Sequence, residues 1–401
     1  MNILTITASD NSMGGASRVA MDIHQGLLKR GHESFVFSGK SQNYDVSSRI
    51  QEIKRPFLTK VLSRALSNDI DFFQTDYLLD TPEFKAADVV HCHNLHGWYF
   101  SLRTLKKMAQ KKPVLWTLHD MWSITPHAAH TSSSIIRNGI YQISDKSLYP
   151  STIWDNDRYL THRKSQIYKD MRVNLVSPSH WLIEKLRFSC LSSKQTFLIP
   201  NGIDCNQFQM GSRNELRKKY GFSEGPMILF IGADAENNIY KGYQDFVWLA
   251  SSDDDPKNQY VCLGSQSSGL RGCVKHLQAS SDKSYVAEIL SCADVLVATS
   301  KYENFPLVLL EAMACGVSVI TYDVGGSAEA IVGAPNCVAT PLGDRNLLKN
   351  TLKNIIDNAL IGGNHLRQEL RAHVKNNYDL EKMLDSYTEV YKQLIANPRL
   401  A

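Results

Sequence analysis

Residues 300–316 read SKYENFPLVLLEAMACG, and this stretch decides the fold. The apolar residues 293–299 precede it and predict a short buried strand. Pro306 suits the first turn of a helix, apolar residues follow at helical spacing, and Gly316 predicts the end of that helix. The stretch therefore predicts a strand, a turn and a helix, which is the repeating unit of an α/β sheet.

Two carboxylates lie in this unit, Glu303 in the predicted turn and Glu311 in the predicted helix. Open α/β sheets bind ligands at the carboxyl ends of their strands. The N–H groups at a helix start suit a diphosphate, whereas a carboxylate suits hydroxyl groups. A sugar nucleotide carries both. Taken alone, Glu303 has an ordinary explanation as a helix N-terminal residue and Glu311 as a solvated helix residue.

The wider pattern resembles a known family. Glu303 and Glu311 are separated by seven residues, the sequence AMACGVSVI follows, and Gly325 and Gly326 come next. This resembles the donor site of retaining glycosyltransferases of family 4, and the resemblance covers nearly the whole chain. It implies an α/β protein with the GT-B fold, in which two doubly wound Rossmann-like domains face each other across a cleft.

The resemblance also implies the domain boundaries. Residues 1–202 are expected to form an acceptor-side domain, to which a crossover helix at about 380–401 returns. Residues 203–379 are expected to bind the nucleotide-sugar donor. A chain of 401 residues is long enough for two such cores.

Composition predicts a cytoplasmic protein. No run of 18 apolar residues is present, so no transmembrane helix is expected. The first residues lack a basic region before the apolar one and predict a strand rather than a signal peptide. The eight cysteines include no Cys-x-x-Cys pair, which is typical of reduced thiols.

Charge is shared unevenly along the chain. Residues 1–200 hold 25 Lys and Arg against 17 Asp and Glu, and the remainder holds 19 against 23. The basic half predicts an anionic partner. Residues 54–68 carry an apolar stripe with basic flanks, which indicates either an interfacial helix at an anionic membrane surface or an ordinary packed helix. The first alternative predicts peripheral attachment to the inner face of the plasma membrane. No nucleic-acid-binding pattern is present.

Gly14 and Gly15 follow the first predicted strand. They do not form a dinucleotide fingerprint. Adjacent glycines let a backbone approach a ligand, although a plain flexible loop is the alternative. The resemblance implies that they lie against the donor diphosphate, and it adds Arg18 as a further candidate.

Three histidines, His91, His93 and His96, suggest a metal site. No Cys or carboxylate partner has ligand spacing, and His96 falls outside the strand that holds the other two. We therefore expect no metal there. The next buried strand ends at His119 and Asp120. The resemblance implies that His119 faces the donor sugar and makes Asp120 a further candidate.

The second half begins with a strand at 227–232. Relatives often carry an arginine next, where this chain has Ala233, but Lys241 and Gly242 match the family pattern. Lys241 is therefore expected to neutralise the diphosphate, with Arg18 or Arg271 as a second cation. The resemblance makes His119 and Glu303 catalytic. The expected donor-binding set is Gly14, Gly15, Lys241, Asn304, Phe305, Pro306, Leu307 and Glu311.

These features predict transfer of a sugar, with retention, from a nucleotide-diphosphate sugar to a hydroxyl of a glycan or lipid-linked acceptor. The expected pathway is O-antigen, capsule or exopolysaccharide synthesis. No cofactor is expected beyond the donor substrate. Two alternatives stay open, namely a nucleotide-sugar epimerase of the same double fold and a non-catalytic sugar-nucleotide-binding protein. Residues 123–157 lack the cysteines that relatives carry there, so acceptor identity does not transfer.

Overall fold

A computed structural model describes residues 1–10, 14–41, 49–143 and 145–397. The chain divides into two compact units. The N-terminal unit contains residues 1–200 together with residues 384–401, and the C-terminal unit contains residues 201–383. The boundaries expected from the sequence lie at 202 and at about 380.

The N-terminal unit is built on a seven-stranded sheet in the order β3-β2-β1-β4-β5-β8-β9, in which every neighbouring pair is parallel. A separate hairpin joins β6 to β7. The strands are β1 (Asn2–Thr7), β2 (Glu33–Ser38), β3 (Ile50–Glu52), β4 (Val89–Cys92), β5 (Val114–Thr117), β6 (Ile136–Arg137), β7 (Ile140–Tyr141), β8 (Asn174–Ser177) and β9 (Thr196–Leu198).

The helices of this unit lie between its strands along the chain, as a parallel sheet requires. They are α1 (Gly15–Lys29), α2 (Phe57–Ala65), α3 (Pro82–Ala86), α4 (Leu102–Ala109), α5 (Asp157–Lys169) and α6 (His180–Arg187), with 3-10 turns at Asp76–Asp80 and Trp122–Ile124. Ser179 caps the start of α6, because its side chain accepts a hydrogen bond from the backbone N–H of Leu182.

The C-terminal unit repeats this architecture. Its sheet order is β12-β13-β11-β10-β14-β15-β16, and only the β12–β13 pair is antiparallel. The strands are β10 (Met227–Ile231), β11 (Gln259–Ser265), β12 (Gly269–Arg271), β13 (Val274–Gln278), β14 (Val295–Ala298), β15 (Ser318–Tyr322) and β16 (Cys337–Thr340).

The helices of the C-terminal unit are α7 (Arg213–Tyr220), α8 (Tyr243–Ser251), α9 (Lys283–Cys292), α10 (Leu307–Ala314), α11 (Ser327–Ala330) and α12 (Arg345–Asn377). The last helix of the chain, α13 (Leu380–Ala396), continues into the N-terminal unit. The helix predicted after Pro306 is confirmed as α10, and Gly316 follows it with a φ of 75°. No helix of the described ranges has both the length and the apolarity needed to span a bilayer.

Both sheets are doubly wound, which confirms the predicted fold class. In each sheet the strand order reverses at one place, between β1 and β4 in the first and between β10 and β14 in the second. The connections on the two sides of such a reversal leave in opposite directions and open a crevice at the carboxyl ends of the strands. These two places are where each sheet can accept a ligand.

A buried carboxylate joins three elements of the C-terminal unit. Asp294 lies directly before β14 and is 2% exposed. Its oxygens accept hydrogen bonds from the Arg213 guanidinium at 2.5 Å, the Arg217 guanidinium at 2.7 Å and the backbone N–H of Met227 at 2.8 Å. Asp294 therefore links α7, β10 and β14.

We expect Asp294→Ala to lower the free energy of unfolding of the C-terminal unit by about 3–5 kcal/mol, because removing one partner of a buried ion pair leaves the other charges uncompensated. Urea unfolding measures this. Asp254→Ala is the control, since its side chain is 98% exposed. A loss below about 1 kcal/mol, the usual value for an exposed pair, would contradict this assignment.

Candidate functional site

The C-terminal unit places Lys241 beside Glu303. The Lys241 Nζ atom lies 2.5 Å from Glu303 Oε1, although the two residues are 62 positions apart in the sequence. Lys241 lies between β10 and α8, and Glu303 lies between β14 and α10. Because β10 and β14 are parallel neighbours, their carboxyl ends meet at one edge of the sheet. The ammonium group of Lys241 and the carboxylate of Glu303 are therefore in contact at the place where the strand order of this sheet reverses.

Hydrogen bonds between the two loops hold this pair in place. The backbone N–H of Lys301 donates to the carbonyl oxygen of Tyr240 at 2.7 Å. The Thr299 hydroxyl donates to the carbonyl oxygen of Gly242 at 2.9 Å. The loops are thus joined next to Lys241 and shortly before Glu303, which limits their separate movement.

Two glycines allow the loops to approach this closely. Gly242 has a φ of 68°, and a Cβ atom there would lie 1.9 Å from the carbonyl oxygen of Thr299. Gly325 has a φ of 59°, and its Cβ would lie 1.6 Å from the carbonyl oxygen of Glu303. Both the left-handed backbone and the absence of a side chain are required. The sequence pattern contains these glycines but gives no sign of the contacts that demand them.

The segment after Glu303 is buried and held through its backbone. Asn304 and Phe305 are both buried, and the carbonyl oxygen of Phe305 accepts a hydrogen bond from Asn201 Nδ2 at 2.9 Å. Pro306 precedes the first residue of α10, Leu307. The first N–H groups of a helix have no partner within it, so this turn can bind an anion. Glu311 lies one turn later in α10 and is buried.

Arg271, a candidate second cation, already has a carboxylate partner. Its guanidinium contacts Glu236 in the loop after β10 and donates to the Ser267 hydroxyl at 2.6 Å. Ala233 lies in that same loop and is exposed. A role for Arg271 at a diphosphate therefore requires exchange of Glu236 for the ligand, and it stays a prediction.

In the N-terminal unit, Gly14 and Gly15 lie at the start of α1. Gly14 is the residue before the helix and Gly15 is its first residue, and both are exposed. A Cβ atom on Gly15 would meet no atom of the described residues within 4 Å. Arg18 follows in the first turn, and its Nε lies 3.8 Å from Asp22. The turn is thus open to a ligand on the side of Gly15, at the strand-order reversal beside β1.

His119 lies at the carboxyl end of β5 and contacts a second histidine. His93 Nδ1 lies 2.9 Å from His119 Nε2, and the two rings stack with their centroids 5.2 Å apart. His93 follows β4, which pairs in parallel with β5. The parallel register therefore brings together two histidines that the sequence analysis assigned to different roles.

Asp120 pairs with His96. The Asp120 Oδ2 atom lies 2.8 Å from His96 Nε2, and Oδ1 accepts the backbone N–H of Trp122 at 2.8 Å. Burial raises the pKa of Asp120, but His96 and the N–H of Trp122 outweigh that effect and hold the pKa below its ordinary value. Asp120 is therefore an ionised residue that orients His96 and the start of the next turn.

Burial keeps the neighbouring histidines neutral. It lowers the pKa of His119 to about 4, although the charge of Asp120 partly opposes the shift. It lowers the pKa of His91 to about 3 and that of His93 well below the ordinary value. At neutral pH these rings can donate or accept single hydrogen bonds, and none of the three carries a positive charge.

Two tyrosines that the sequence analysis did not single out bind the same strands. Tyr391 of α13 lies with its hydroxyl 2.7 Å from His91 Nδ1, and Tyr387 lies 3.1 Å from the Thr117 hydroxyl. The two tyrosines are four residues apart and share a helix face. That spacing was visible in the sequence, but the strand residues that they contact were not.

A buried lysine was also missed. Lys164 of α5 donates to the carbonyl oxygens of Trp122 at 2.6 Å and Thr125 at 2.9 Å, and it lies 3.6 Å over the Trp122 ring. Burial lowers its pKa to about 7. Lys164 thus holds the turn that follows Asp120. A sequence signal existed, because Lys164 falls on the apolar face of α5 with Leu160 and Tyr168.

The histidines do not form a metal site in the part of the chain that is described. There, no group of three or more His, Cys, Asp or Glu side chains is arranged to hold a metal ion. His93 and His96 instead bind His119 and Asp120. The absence of a metal requirement stays a prediction.

Known proteins are similar to both units. The sequence model of the family described as Glycosyltransferase Family 4 matches residues 13–207. The sequence model of the family described as Glycosyl transferases group 1 matches residues 212–378. The Escherichia coli K12 protein WcaC, whose name describes a colanic acid biosynthesis glycosyl transferase, is 27% identical, over 98% of this chain and 100% of that protein. This chain is a glycosyltransferase of the family 4 type.

A further relative matches part of this glycosyltransferase. The Campylobacter jejuni enzyme named N,N'-diacetylbacillosaminyl-diphospho-undecaprenol alpha-1,3-N-acetylgalactosaminyltransferase is 25% identical, over 45% of this chain and 48% of its own length. Its name describes a lipid-linked acceptor.

Solved structures confirm the GT-B fold of the glycosyltransferase. Sucrose-phosphate synthase of Thermosynechococcus elongatus superposes with a TM-score of 0.74 at 19% identity, covering 99% of this chain and 100% of that one. Anabaena HepE in complex with UDP-glucose superposes with a TM-score of 0.69 at 15% identity, covering 98% and 100%. The match to the group 1 model includes Lys241, Glu303 and Glu311.

We expect His119 to titrate near pH 4 rather than near the ordinary value of 6.5, because protonation would place a charge in a buried site. Its NMR signals measure this directly. In the unfolded chain His119 takes up a proton near pH 6.5, whereas in the folded protein it does so near pH 4. The stability contributed by neutral His119 is therefore present above about pH 6.5 and is lost between there and about pH 4. His119→Asn should reduce that loss. Titration of His119 near 6.5 would show that the ring is hydrated.

Proposed function

We propose that this glycosyltransferase moves a sugar from a nucleotide-diphosphate sugar to a hydroxyl of a glycan or lipid-linked acceptor, with retention of the anomeric configuration. The proposed pathway is synthesis of O-antigen, capsule or another surface polysaccharide. The observation that carries the proposal is the contact between Lys241 and Glu303 at the strand-order reversal of the C-terminal sheet.

The pair offers both groups that such a donor needs. A diphosphate requires cations and N–H groups, which Lys241 and the first turn of α10 supply. The sugar hydroxyls require acceptors, and the Glu303 carboxylate supplies one beside that cation. As the glycosidic bond breaks, negative charge grows on the diphosphate, and Lys241 stabilises it.

Other residues complete the proposed donor site. Glu311, within α10, accepts hydrogen bonds from the ribose hydroxyls. For the N-terminal unit, the family resemblance favours Gly14 and Gly15 at the donor diphosphate, through backbone N–H groups at the exposed start of α1. It also favours His119, neutral at working pH, at the donor sugar, where the ring would help to stabilise positive charge near the anomeric carbon. With Lys241 and backbone amides at the diphosphate, the proposal assigns no step to a metal ion.

The pathway is supported by what the similar proteins are named for. WcaC is named for colanic acid biosynthesis, and the Campylobacter enzyme is named for transfer to a diphospho-undecaprenol acceptor. A hydroxyl of such a lipid-linked glycan is the proposed acceptor here.

The proposal is tested first by binding and then by product analysis. UDP-, GDP-, ADP- and dTDP-sugars are screened by thermal shift, because a ligand of the native state raises apparent stability. The donor found is then incubated with lipid-linked glycans, and NMR of the product reports the anomeric configuration. Product formed without any acceptor would indicate an epimerase. Binding without release of nucleoside diphosphate would indicate a non-catalytic protein.

We expect substitutions of Glu303 and Glu311 to reduce different parts of the binding affinity for the donor, which calorimetry measures. Glu311→Gln should weaken binding of free nucleoside diphosphate, because an amide with one acceptor oxygen replaces a charged carboxylate with two. Glu303→Gln should leave that binding intact and remove the added affinity of the complete donor. Identical losses in both glutamate variants would contradict the division of roles.

We expect Lys241→Ala to lower kcat/KM by about tenfold to a hundredfold, because the diphosphate loses one hydrogen bond to a charged group.

The N-terminal unit also exposes an apolar surface on α2. Phe57 is 77% exposed and Leu58 is 79% exposed, and only Ser63 of this helix is buried. Among the described residues, the apolar stripe of α2 is therefore not covered by the rest of the N-terminal unit. Basic side chains flank the surface, with Lys54 and Lys60 exposed beside it. An exposed apolar face with basic flanks suits the interface of an anionic bilayer.

A second segment extends this surface. The indole N–H of Trp154 donates to the carbonyl oxygen of Ala65 at 2.8 Å, and the N–H of Ile153 donates to the Ser67 hydroxyl at 2.9 Å. Ile153 and Trp154 are themselves exposed. We propose that α2 and this segment together attach the protein to the inner face of the plasma membrane, where lipid-linked acceptors lie.

We expect anionic vesicles to capture the protein, with capture falling as salt rises, because part of the attraction is between exposed charges. The double substitution of Phe57 and Leu58 by Ser should abolish capture. The matched control replaces Leu360 and Ile361 of α12 by Ser, an adjacent exposed apolar pair in the C-terminal unit. Equal capture by neutral and anionic vesicles, or equal loss in both double variants, would contradict membrane attachment through α2.

A further inference from the structure

Polar side chains form two rungs across β4 and β5 of the N-terminal sheet. The upper rung is the contact between His93 and His119 at the carboxyl ends of the strands. The lower rung lies two residues earlier on each strand, where His91 Nε2 is 2.8 Å from the Thr117 hydroxyl. Residues two apart on a strand share a face, so the rungs lie one behind the other. The His91 and His93 rings are 4.2 Å apart between centroids.

Helix α13 closes the lower rung. The Tyr391 hydroxyl lies 2.7 Å from His91 Nδ1, the ring nitrogen that Thr117 does not contact. The Tyr387 hydroxyl lies 3.1 Å from the Thr117 hydroxyl. Both tyrosines are fully buried. Each ring nitrogen of His91 therefore has a hydroxyl partner, and the ring cannot turn without breaking one of two hydrogen bonds. The His93 ring lies next to this restrained ring, tilted by 44° to it.

His93 is held in place at a cost to stability. It is fully buried, and its Nε2 atom has no hydrogen-bond partner among the described residues. An apolar residue of similar size would not bury this unpaired nitrogen. The hydrogen bond that the His93 side chain does make is to His119 Nε2. The polarity of His93 is thus used on a residue that the proposed function places against the donor sugar.

The contact also couples the protons of the two rings. Both imidazoles are neutral, and a neutral imidazole has one nitrogen that donates and one that accepts. A hydrogen bond between His93 Nδ1 and His119 Nε2 therefore couples the two tautomers: His119 carries its proton on Nδ1 when His93 donates, and on Nε2 when His119 donates. It leaves only Nδ1 of His119 to face a ligand.

We propose that His93 is a positioning residue that holds His119 in one ring orientation and one tautomer, so that a single nitrogen, Nδ1, meets the donor sugar. The proposal rests on the proposed function only in the role it gives to His119. The part concerning orientation and tautomer belongs to the free protein and is tested without substrate.

The kinetic test compares two substitutions of similar shape. In His93→Asn an amide atom takes the place of the ring Nδ1 and can donate to or accept from His119. His93→Leu has nearly the same shape and can do neither. We expect His93→Leu to lower kcat by about tenfold or more, since misplacing a catalytic group by about 1 Å can cost a hundredfold. The donor KM should change by less than about threefold, and His93→Asn should recover most of kcat.

A spectroscopic test uses the protein without substrate. In ¹⁵N spectra of histidine-labelled protein, the two ring nitrogens of His119 should show one tautomer in the wild type. His93→Leu should show a mixture of tautomers. The control is His24→Leu, because His24 is another buried histidine of the same unit and lies 2.8 Å from the Ser34 hydroxyl. It should lower the melting temperature without changing kcat or the His119 signals.

The possible failures are distinct. If His119→Ala keeps wild-type turnover, the proposed role of His119 is wrong, whatever the spectra of the His93 variants show. If His119→Ala loses turnover but His93→Leu keeps it, or if the His119 nitrogen signals are the same in wild type and His93→Leu, then His93 is not a positioning residue. Equal loss of kcat in His93→Asn and His93→Leu would also overturn the proposal, because the hydrogen bond would then play no part.

Discussion

Parallel pairing of neighbouring strands is the constraint on which the rest of the structure depends. A parallel pair ends at one edge of its sheet, so any loops that follow the two strands must meet there. In the C-terminal unit this brings Lys241 to Glu303, and in the N-terminal unit it brings His93 to His119. The residues come from distant parts of the sequence. Their chemistry is therefore a product of sheet topology as much as of local sequence.

Much of the fold could be predicted because its signals are local. Apolar runs predicted β10 and β14, and Pro306 and Gly316 predicted the start and the end of α10. The short edge strands β3, β9, β12 and β16 were missed. Three or four residues at a sheet edge carry too little periodicity to be distinguished from a loop.

The sequence predicted which residues belong to the site but not which of them contact each other. His119, Lys241 and Glu303 were predicted, but a hydrogen bond between residues 62 positions apart leaves no local pattern in the sequence. Lys164 shows the same limit, since a lysine within an apolar stripe has a signal whereas its two carbonyl partners have none. The apolar stripe of α2 shows a second limit of sequence-based prediction. Periodicity establishes that one face of a helix is apolar, but it does not establish that another part of the protein packs on that face.

The close contact of Gly325 with the backbone at Glu303 has a consequence for altering donor specificity. The path of the loop is set by main-chain atoms that touch, so no choice of neighbouring side chains can make room for a larger residue at position 325. The same holds at Gly242. A mutant library that seeks a new sugar should therefore vary the side chains around Glu303 and keep both glycines unchanged. Variation at the two glycines would alter the scaffold that presents those side chains, and most such clones would be lost before specificity could be selected.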